Sequence, residues 1–140
     1  RQAKEKLKDV NFDLVFSSPL MRARDTAKEI TDNDIIIDQR LIERDYGLNE
    51  EMPIENTNPK ELWDYDLNYG DHQGETVQEI LNRVHILLED LKNKYQDKTI
   101  LLVTHSGVAR AIYYSINGIP EDGNLMTIDV PNCGYQIYEL

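Results

Sequence analysis

The sequence predicts an α/β protein, because two apolar runs are each followed directly by a helical pattern with polar residues at the junction. Residues 12–16 form the first run and residues 99–104 the second. Unbroken β-branched and leucine runs of this length are typical of strands covered on both faces. Ligands of open α/β sheets bind at the carboxyl ends of the strands. We therefore expect the functional residues of this chain at these two junctions.

The first junction reads FSSPLMRARDTA over residues 16–27. Ser18 is expected as the N-cap of the following helix and Pro19 as its first residue. Arg22 then lies in the first helical turn, where the helix dipole disfavours a cation, so an anionic partner is expected. A guanidinium fits phosphate oxygens better than an ammonium does. Arg22 is therefore interpreted as a phosphate-binding residue, and the alternative is a surface ion pair within its own helix.

The second junction reads LLVTHSGVAR over residues 101–110 and places His105 between a strand and a helix. Ser106 and Gly107 are residue types that cap a helix and form a tight turn. The first backbone N–H groups of a helix lack partners within it and suit an anion such as phosphate. His105 is therefore a candidate active-site residue, and the alternative is a hydrogen-bonded histidine in an ordinary loop.

The spacing of apolar residues predicts the other elements. Residues 1–8 are polar with helical propensity, and residues 35–38 form a short strand. Residues 48–74 form an insertion over the sheet edge, with a short helical stretch near Pro59 to Tyr65. Residues 76–95 form the longest helix, which has one apolar face.

Four segments of the chain read SSPLMRARDTA (residues 17–27), LIERDYG (41–47), HQGETVQEILNRV (72–84) and VTHSG (103–107). In this order they resemble the histidine phosphatase superfamily, the branch that includes phosphoglycerate mutases and bacterial broad-specificity phosphatases. The ending at 132–140 resembles the closing strand of that family. The resemblance implies a single domain over residues 1–140, folded as a three-layer sandwich with a mostly parallel central sheet and helices on both faces.

The resemblance also implies roles for individual residues. Arg22, His105 and Ser106 would bind the substrate phosphate; Ser106 replaces the glycine that is usual in the family and keeps its backbone N–H. Glu43 would be the catalytic acid, and His105 the second active-site histidine. The implied activity is hydrolysis of phosphate monoesters through a phosphohistidine intermediate, with no cofactor and no metal. Without the resemblance, Glu43 is interpreted as an ion-pair partner of one of its neighbouring arginines.

The nucleophile of the family is a histidine in an Arg-His-Gly motif after the first strand, and the sequence contains no such motif. We therefore expect a domain that is N-terminally incomplete and inactive on its own, with the nucleophile upstream of Arg1. His72 is interpreted as a loop histidine and His85 as a helix-surface residue. Three other hypotheses stay open: a phosphotransferase of the phosphoglycerate mutase type, a catalytically dead relative that binds phosphorylated ligands, and a different α/β enzyme whose junctions imitate the family.

The composition agrees with one soluble intracellular domain, and the resemblance implies a phosphorylated small molecule as its substrate. The 140 residues carry a net charge of −11, which opposes binding to nucleic acid or to an anionic membrane surface. No apolar run is long enough to span a membrane and no signal peptide is recognisable, so we expect a cytoplasmic protein. The one cysteine, Cys133, lacks the His or Cys neighbours of a metal site. Acidic residues at 75–79 and 89–90 are expected on solvated surface, and a homodimer is compatible with the pattern.

Overall fold

The computed structural model describes residues 9–46, 59–68, 74–128 and 134–140, together with Glu5, Leu7 and Val130. Glu5 and Leu7 are helical, which agrees with the helical propensity of residues 1–8. His72, Cys133 and most of the insertion expected at 48–74 lie outside the described residues.

A parallel sheet of three strands forms the centre of the described fold. Its strands are β1 (Leu14–Ser17), β2 (Ile35–Ile37) and β3 (Ile100–Val103), in the order β2-β1-β3. Ser17 pairs in register with Ile37 on one side and with Val103 on the other. Because all three strands run the same way, their carboxyl ends meet at one edge of the sheet. The strands expected from the sequence are confirmed, with ends that differ by a residue or two.

Helices cover both faces of the sheet. They are α1 (Met21–Ile30), α2 (Pro59–Leu62), α3 (Val77–Lys94) and α4 (Ser106–Asn117), and a 3₁₀ turn spans Gln39–Leu41. On one face, Ala23 and Ala27 of α1 pack with Val15 and Val103. On the other face, Phe16 packs with the buried residues of α3 and α4. Since the neighbours Val15 and Phe16 point to opposite faces, the chain forms an α/β sandwich of three layers, as expected.

α3 is the longest helix and packs through one apolar face. A capping box starts it: the Thr76 hydroxyl accepts the N–H of Glu79 at 3.1 Å, and the Glu79 carboxylate accepts the N–H of Thr76 at 2.9 Å. The helix expected over residues 76–95 is thereby confirmed, and His85 is exposed on its surface as expected. Its buried residues are Val77, Ile80, Leu81, Val84, Leu87, Leu88 and Leu91.

α1 begins later than the sequence predicts. The first helical residue is Met21 rather than Pro19, and Leu20 takes the N-cap position without a side-chain cap. Ser18 remains bound to the sheet, because its N–H donates to the carbonyl of Val103 at 2.9 Å. The Ser18 hydroxyl accepts the N–H of Leu20 at 3.2 Å, and so it stabilises the turn before the helix instead of capping the helix itself.

The prediction of a closing strand at 132–140 is wrong for the residues that the structure describes there. Residues 134–140 are irregular, and Ile137 among them is 80% exposed. A strand is stable only when a neighbouring strand takes up its backbone hydrogen bonds. Within the described part of the chain the sheet stops at β3, so no further strand is present to pair with the ending.

Candidate active site

The ends of β1 and β3 bring two polar side chains together at the carboxyl edge of the sheet. Ser18 follows β1 directly, and His105 lies two residues beyond the end of β3. Nε2 of His105 lies 2.8 Å from the hydroxyl oxygen of Ser18. His105 is also the extended N-cap residue of α4, and Ser106 is the first residue of that helix and is exposed. The histidine therefore lies at the N-terminus of a helix, as expected from the sequence.

Glu43 reaches the same helix terminus from another part of the chain. It follows the 3₁₀ turn, and its Oε2 accepts the N–H of Gly107 at 3.2 Å, while its Oε1 accepts the N–H of Arg44 at 2.8 Å. The absence of a side chain at Gly107 is required, because a β-carbon there would collide with Oε1 of Glu43. That β-carbon would also lie 2.9 Å from the hydroxyl of Tyr46. The carboxylate thus occupies the start of α4, where the helix dipole favours an anion.

The charges of the site act on His105. Partial burial lowers the pKa of the His105 ring below its usual 6.5, because removal from water disfavours the charged imidazolium. The negative charge of Glu43 opposes this shift, and the positive charge of Arg22 adds to it. Arg22 itself is exposed on the first turn of α1. The structure therefore brings Arg22, Glu43 and His105 into one electrostatic environment.

The acid loop, residues 40–46, carries Glu43 and is held in place by two charged side chains. Arg83 of α3 donates two hydrogen bonds, of 2.7 and 2.8 Å, to backbone carbonyls just before Glu43. The same guanidinium pairs with the Glu75 carboxylate at 2.8 Å. Glu75 in turn accepts the N–H of Asp45 at 2.9 Å, just after Glu43. Both sides of the acid are thus held by charge-assisted hydrogen bonds, which are stronger than neutral ones.

Arg44, next to the acid in sequence, anchors the acid loop in the core. Its side chain is 1% exposed, and its guanidinium carbon lies 4.8 Å from the ring centroid of Trp63 and 5.2 Å from that of Tyr46. The guanidinium also donates to two backbone carbonyls, at 2.5 and 3.2 Å. Burial lowers the pKa of Arg44, although nearby acidic groups oppose the shift. The acid is therefore adjacent to a side chain that has little freedom to move.

Thr104 and Arg110 join β3 and α4 to the rest of the site. The Thr104 hydroxyl donates to the carbonyl of Leu41 at 2.6 Å, so the end of β3 is bonded directly to the acid loop. Arg110 of α4 donates to the carbonyls of Leu125 and Ile128, at 2.9 and 3.0 Å. Arg110 therefore contributes to structure through backbone contacts.

The structure does not favour the alternative interpretation of Glu43 as the ion-pair partner of a neighbouring arginine. Arg40 pairs instead with Asp38 at 2.8 Å and with Asp90 at 3.1 Å. Arg44 donates its backbone N–H to the Glu43 carboxylate, and the negative charge of Glu43 also opposes the lowering of the Arg44 pKa. The carboxylate consequently remains beside His105 and the start of α4.

Glu75, Arg83 and Gly107 contribute to the site through contacts that the sequence alone does not predict. The expectation that Glu75 lies on solvated surface is wrong, because this residue bridges Arg83 and the backbone of Asp45. Both Glu75 and Arg83 lie in the HQGETVQEILNRV segment, so the resemblance of that segment was the available signal. The contact of Gly107 with Glu43 has no local signal, because it joins residues that are far apart in the chain.

Within the described ranges, no group of three or more His, Cys, Asp or Glu side chains could hold a metal ion. No helix among those same residues is both long and apolar enough to cross a membrane.

Known proteins share this sequence pattern. The family model described as the histidine phosphatase superfamily (branch 1) matches residues 1–140. The chain is 30% identical over 131 residues to phosphoserine phosphatase 1 of Hydrogenobacter thermophilus. The matched residues cover 85% of this chain and 62% of the relative. It is 32% identical over 128 residues to GpmB, a probable phosphoglycerate mutase of Escherichia coli. That match covers 85% of this chain and 60% of the relative.

The fold is also found among solved structures. A phosphoserine phosphatase mutant from Entamoeba histolytica, in complex with phosphoserine, superimposes with a TM-score of 0.76 at 24% identity, over 95% of this chain and 70% of that chain. The chain spans about three fifths of the length of the curated relatives it matches. Because the family model matches residues 1–140, the chain belongs to the histidine phosphatase superfamily, branch 1.

Proposed function

We propose that the chain is part of a phosphate monoester hydrolase of the histidine phosphatase type, which acts on a phosphorylated small molecule through a phosphohistidine intermediate. One observation carries the proposal: Glu43 and His105 meet at the N-terminus of α4, and the charge of Arg22 acts on the same histidine. An arginine, a histidine and helix N–H groups bind phosphate oxygens, and a carboxyl beside them can move a proton.

The proposed reaction consists of two displacements at phosphorus. In the first, the lone pair of the nucleophilic histidine forms a P–N bond and the ester P–O bond breaks. The leaving oxygen keeps that electron pair and takes a proton from the Glu43 carboxyl. In the second, water attacks phosphorus, Glu43 takes a proton from that water, and the P–N bond breaks to release inorganic phosphate. Arg22, His105 and the Ser106 N–H would bind the non-bridging oxygens as charge builds up on them.

The nucleophile is proposed to lie upstream of Arg1, in an Arg-His-Gly segment that ends a further strand. The outer side of β3 supports this position. β3 consists of four aliphatic residues, a composition typical of a strand with neighbours on both sides, yet within the described residues it pairs only with β1. A parallel strand added there would end next to His105. The 140-residue chain alone is then expected to be inactive and to associate through this open edge.

The test compares the 140-residue chain with the same chain extended upstream in its own reading frame, using an aryl phosphate as substrate. The extended chain is expected to turn over and to form an acid-labile phosphoenzyme, and the short chain to show no turnover above background. In the extended chain, Arg22→Ala and His105→Ala should each lower kcat/KM roughly 10²-fold or more, since each removes a group that stabilises transition-state charge.

Lys28→Ala is the matched control, because Lys28 is an exposed cation on the same helix as Arg22. Its kcat/KM should stay within error of the unsubstituted enzyme. Full turnover by the 140-residue chain would place the nucleophile inside it and refute the proposed upstream position. Unchanged rates in both active-site variants would refute the assigned roles.

A phosphotransferase of the mutase type is the second candidate, because one relative is named a probable phosphoglycerate mutase. The same side chains would serve this reaction, with a substrate hydroxyl in place of water. Phosphorus NMR of the extended chain with a phosphoglycerate distinguishes the two. Formation of the isomeric phosphoglycerate identifies a mutase, and inorganic phosphate alone identifies a phosphatase. A catalytically dead relative would bind the ligand and form neither product.

A further inference from the structure

The hydrogen bond between Ser18 and His105 constrains where the proton of the histidine ring lies. The Ser18 side chain is fully buried, and its backbone N–H donates to the Val103 carbonyl at 2.9 Å. A serine hydroxyl has one proton to donate and two lone pairs with which to accept. One lone pair accepts the N–H of Leu20 at 3.2 Å. Nε2 of His105, at 2.8 Å, is the acceptor that the described residues offer to the hydroxyl proton.

A buried hydroxyl whose proton finds no acceptor is costly, so the Ser18 proton favours one state of the ring. If Nε2 carried a proton, Ser18 could accept it, but the proton of Ser18 would then find no acceptor among the described residues. If Nε2 carries none, it accepts from Ser18 and both groups are satisfied. A neutral imidazole with a bare Nε2 has its proton on Nδ1. Nδ1 makes no hydrogen bond within the described part of the chain, so a ligand can take it up.

We propose that Ser18 is a positioning residue that holds the neutral His105 ring as the tautomer with its proton on Nδ1, which the ring donates to a non-bridging phosphate oxygen. The identity of the acceptor rests on the proposed function, whereas the tautomer follows from the contacts of Ser18.

A neutral donor suits the charges around the ring. Burial and the positive charge of Arg22 both lower the pKa of His105, and Glu43 is the group that opposes them. A second full cation beside Arg22 would be repelled, whereas a neutral N–H adds a hydrogen bond without that repulsion. Phosphate binding would then continue at a pH where an unconstrained ring could present a bare nitrogen to the anion.

Nitrogen NMR of the histidine rings reads the tautomer directly in the extended chain, once the signals of His105 are assigned. Above the pKa of His105, Nδ1 should show the chemical shift of a protonated nitrogen and Nε2 that of an unprotonated one. Ser18→Ala removes the donor and should lower the fraction of the Nδ1–H tautomer, whereas Ser18→Thr keeps a hydroxyl and should retain it. Ser17→Ala is the matched control, because Ser17 is equally buried and its hydroxyl donates to the Ser18 carbonyl at 2.9 Å.

Sulfate binding supplies the second measurement, because sulfate stays fully ionised across the neutral range and its own titration does not interfere. At a pH above the pKa of His105, Ser18→Ala should weaken sulfate binding roughly tenfold, the loss expected for one hydrogen bond to an anion. Ser17→Ala should leave it unchanged.

A proton on Nε2 in the unsubstituted chain would overturn the proposal, and this measurement requires no folded variant. An Nδ1–H tautomer that survives Ser18→Ala would overturn it as well. Neither readout depends on turnover. A failure of the phosphatase assay and a failure of this inference are therefore distinguishable.

Discussion

Gly107→Ala tests the contact between the acid and α4 with a single methyl group. A β-carbon at this position would collide with Oε1 of Glu43 and lie 2.9 Å from the Tyr46 hydroxyl, so the carboxylate must move. It then loses the Gly107 N–H that it accepts at 3.2 Å. A hydrogen bond to a charged group contributes about 1.5–3 kcal/mol, and alanine gains up to about 1 kcal/mol over glycine within a helix. The free energy of unfolding should therefore fall by roughly 0.5–2 kcal/mol.

Equilibrium urea unfolding of a double-mutant cycle measures this contact. In the Glu43→Ala background there is no carboxylate to displace and the Tyr46 hydroxyl is the remaining close contact, so Gly107→Ala should cost clearly less than it does in the presence of Glu43. Gly118→Ala is the matched control, because Gly118 has a φ of 93° and open space around the position of a β-carbon. Alanine there is strained by its backbone alone, and its cost should be the same with and without Glu43. An equal cost of Gly107→Ala in both backgrounds would refute the reasoning.

Four further predictions concern Glu43, His105, Arg83 and metal dependence. In the extended chain, Glu43→Gln should lower turnover of alkyl phosphates roughly 10²-fold or more and of aryl phosphates much less, because good leaving groups need little protonation. Equal losses on both substrates would instead assign Glu43 a positioning role. Because the pKa of His105 is lowered in the folded state, the unfolded state binds this proton first as pH falls. The stability that the neutral His105 ring contributes is complete above about pH 6.5 and is lost as pH falls through the lower folded pKa. The free energy of unfolding of His105→Asn, measured in urea, should lack this dependence on pH. A pH profile that is the same with and without His105 would contradict the prediction. Arg83→Met should lower the free energy of unfolding by about 1–3 kcal/mol and speed hydrogen exchange at the Asp45 amide, whereas the exposed Lys92→Met should do neither. EDTA should leave turnover by the extended chain unchanged and vanadate should inhibit it; activity that is lost in EDTA and restored by magnesium would show that a metal takes part.

Elements governed by local spacing could be predicted from the sequence. The apolar residues of α3 recur at helical intervals over its whole length, and Thr76 and Glu79 form a capping box within four residues. The start of α1 was missed because Ser18 is bound to Val103, a residue of another strand. The register of β1 against β3 decides that contact, and nothing within the segment itself encodes it.

In the site, too, features set within a short segment could be predicted and contacts between distant segments could not. Arg22, Glu43 and His105 could be named because each lies in a short segment with a recognisable order of residues. What could not be predicted is how these segments meet. The hydrogen bonds of Glu75 and Arg83 to the acid loop join residues 30 or more positions apart in the chain, so they depend on the packing of the finished fold.

Trp63 gives this site a built-in optical signal. It is the one tryptophan of the chain and is 5% exposed. The guanidinium of Arg44 lies 4.8 Å from its ring, and that of Arg110 lies 5.6 Å away. Arg44 is the neighbour of Glu43 in the sequence, and Arg110 lies on α4, whose first turn binds the Glu43 carboxylate. Indole fluorescence depends on the water and charge around the ring, so the emission of one native chromophore reports on both supports of the acid at once. A local opening of the acid loop can therefore be followed by fluorescence without any attached label.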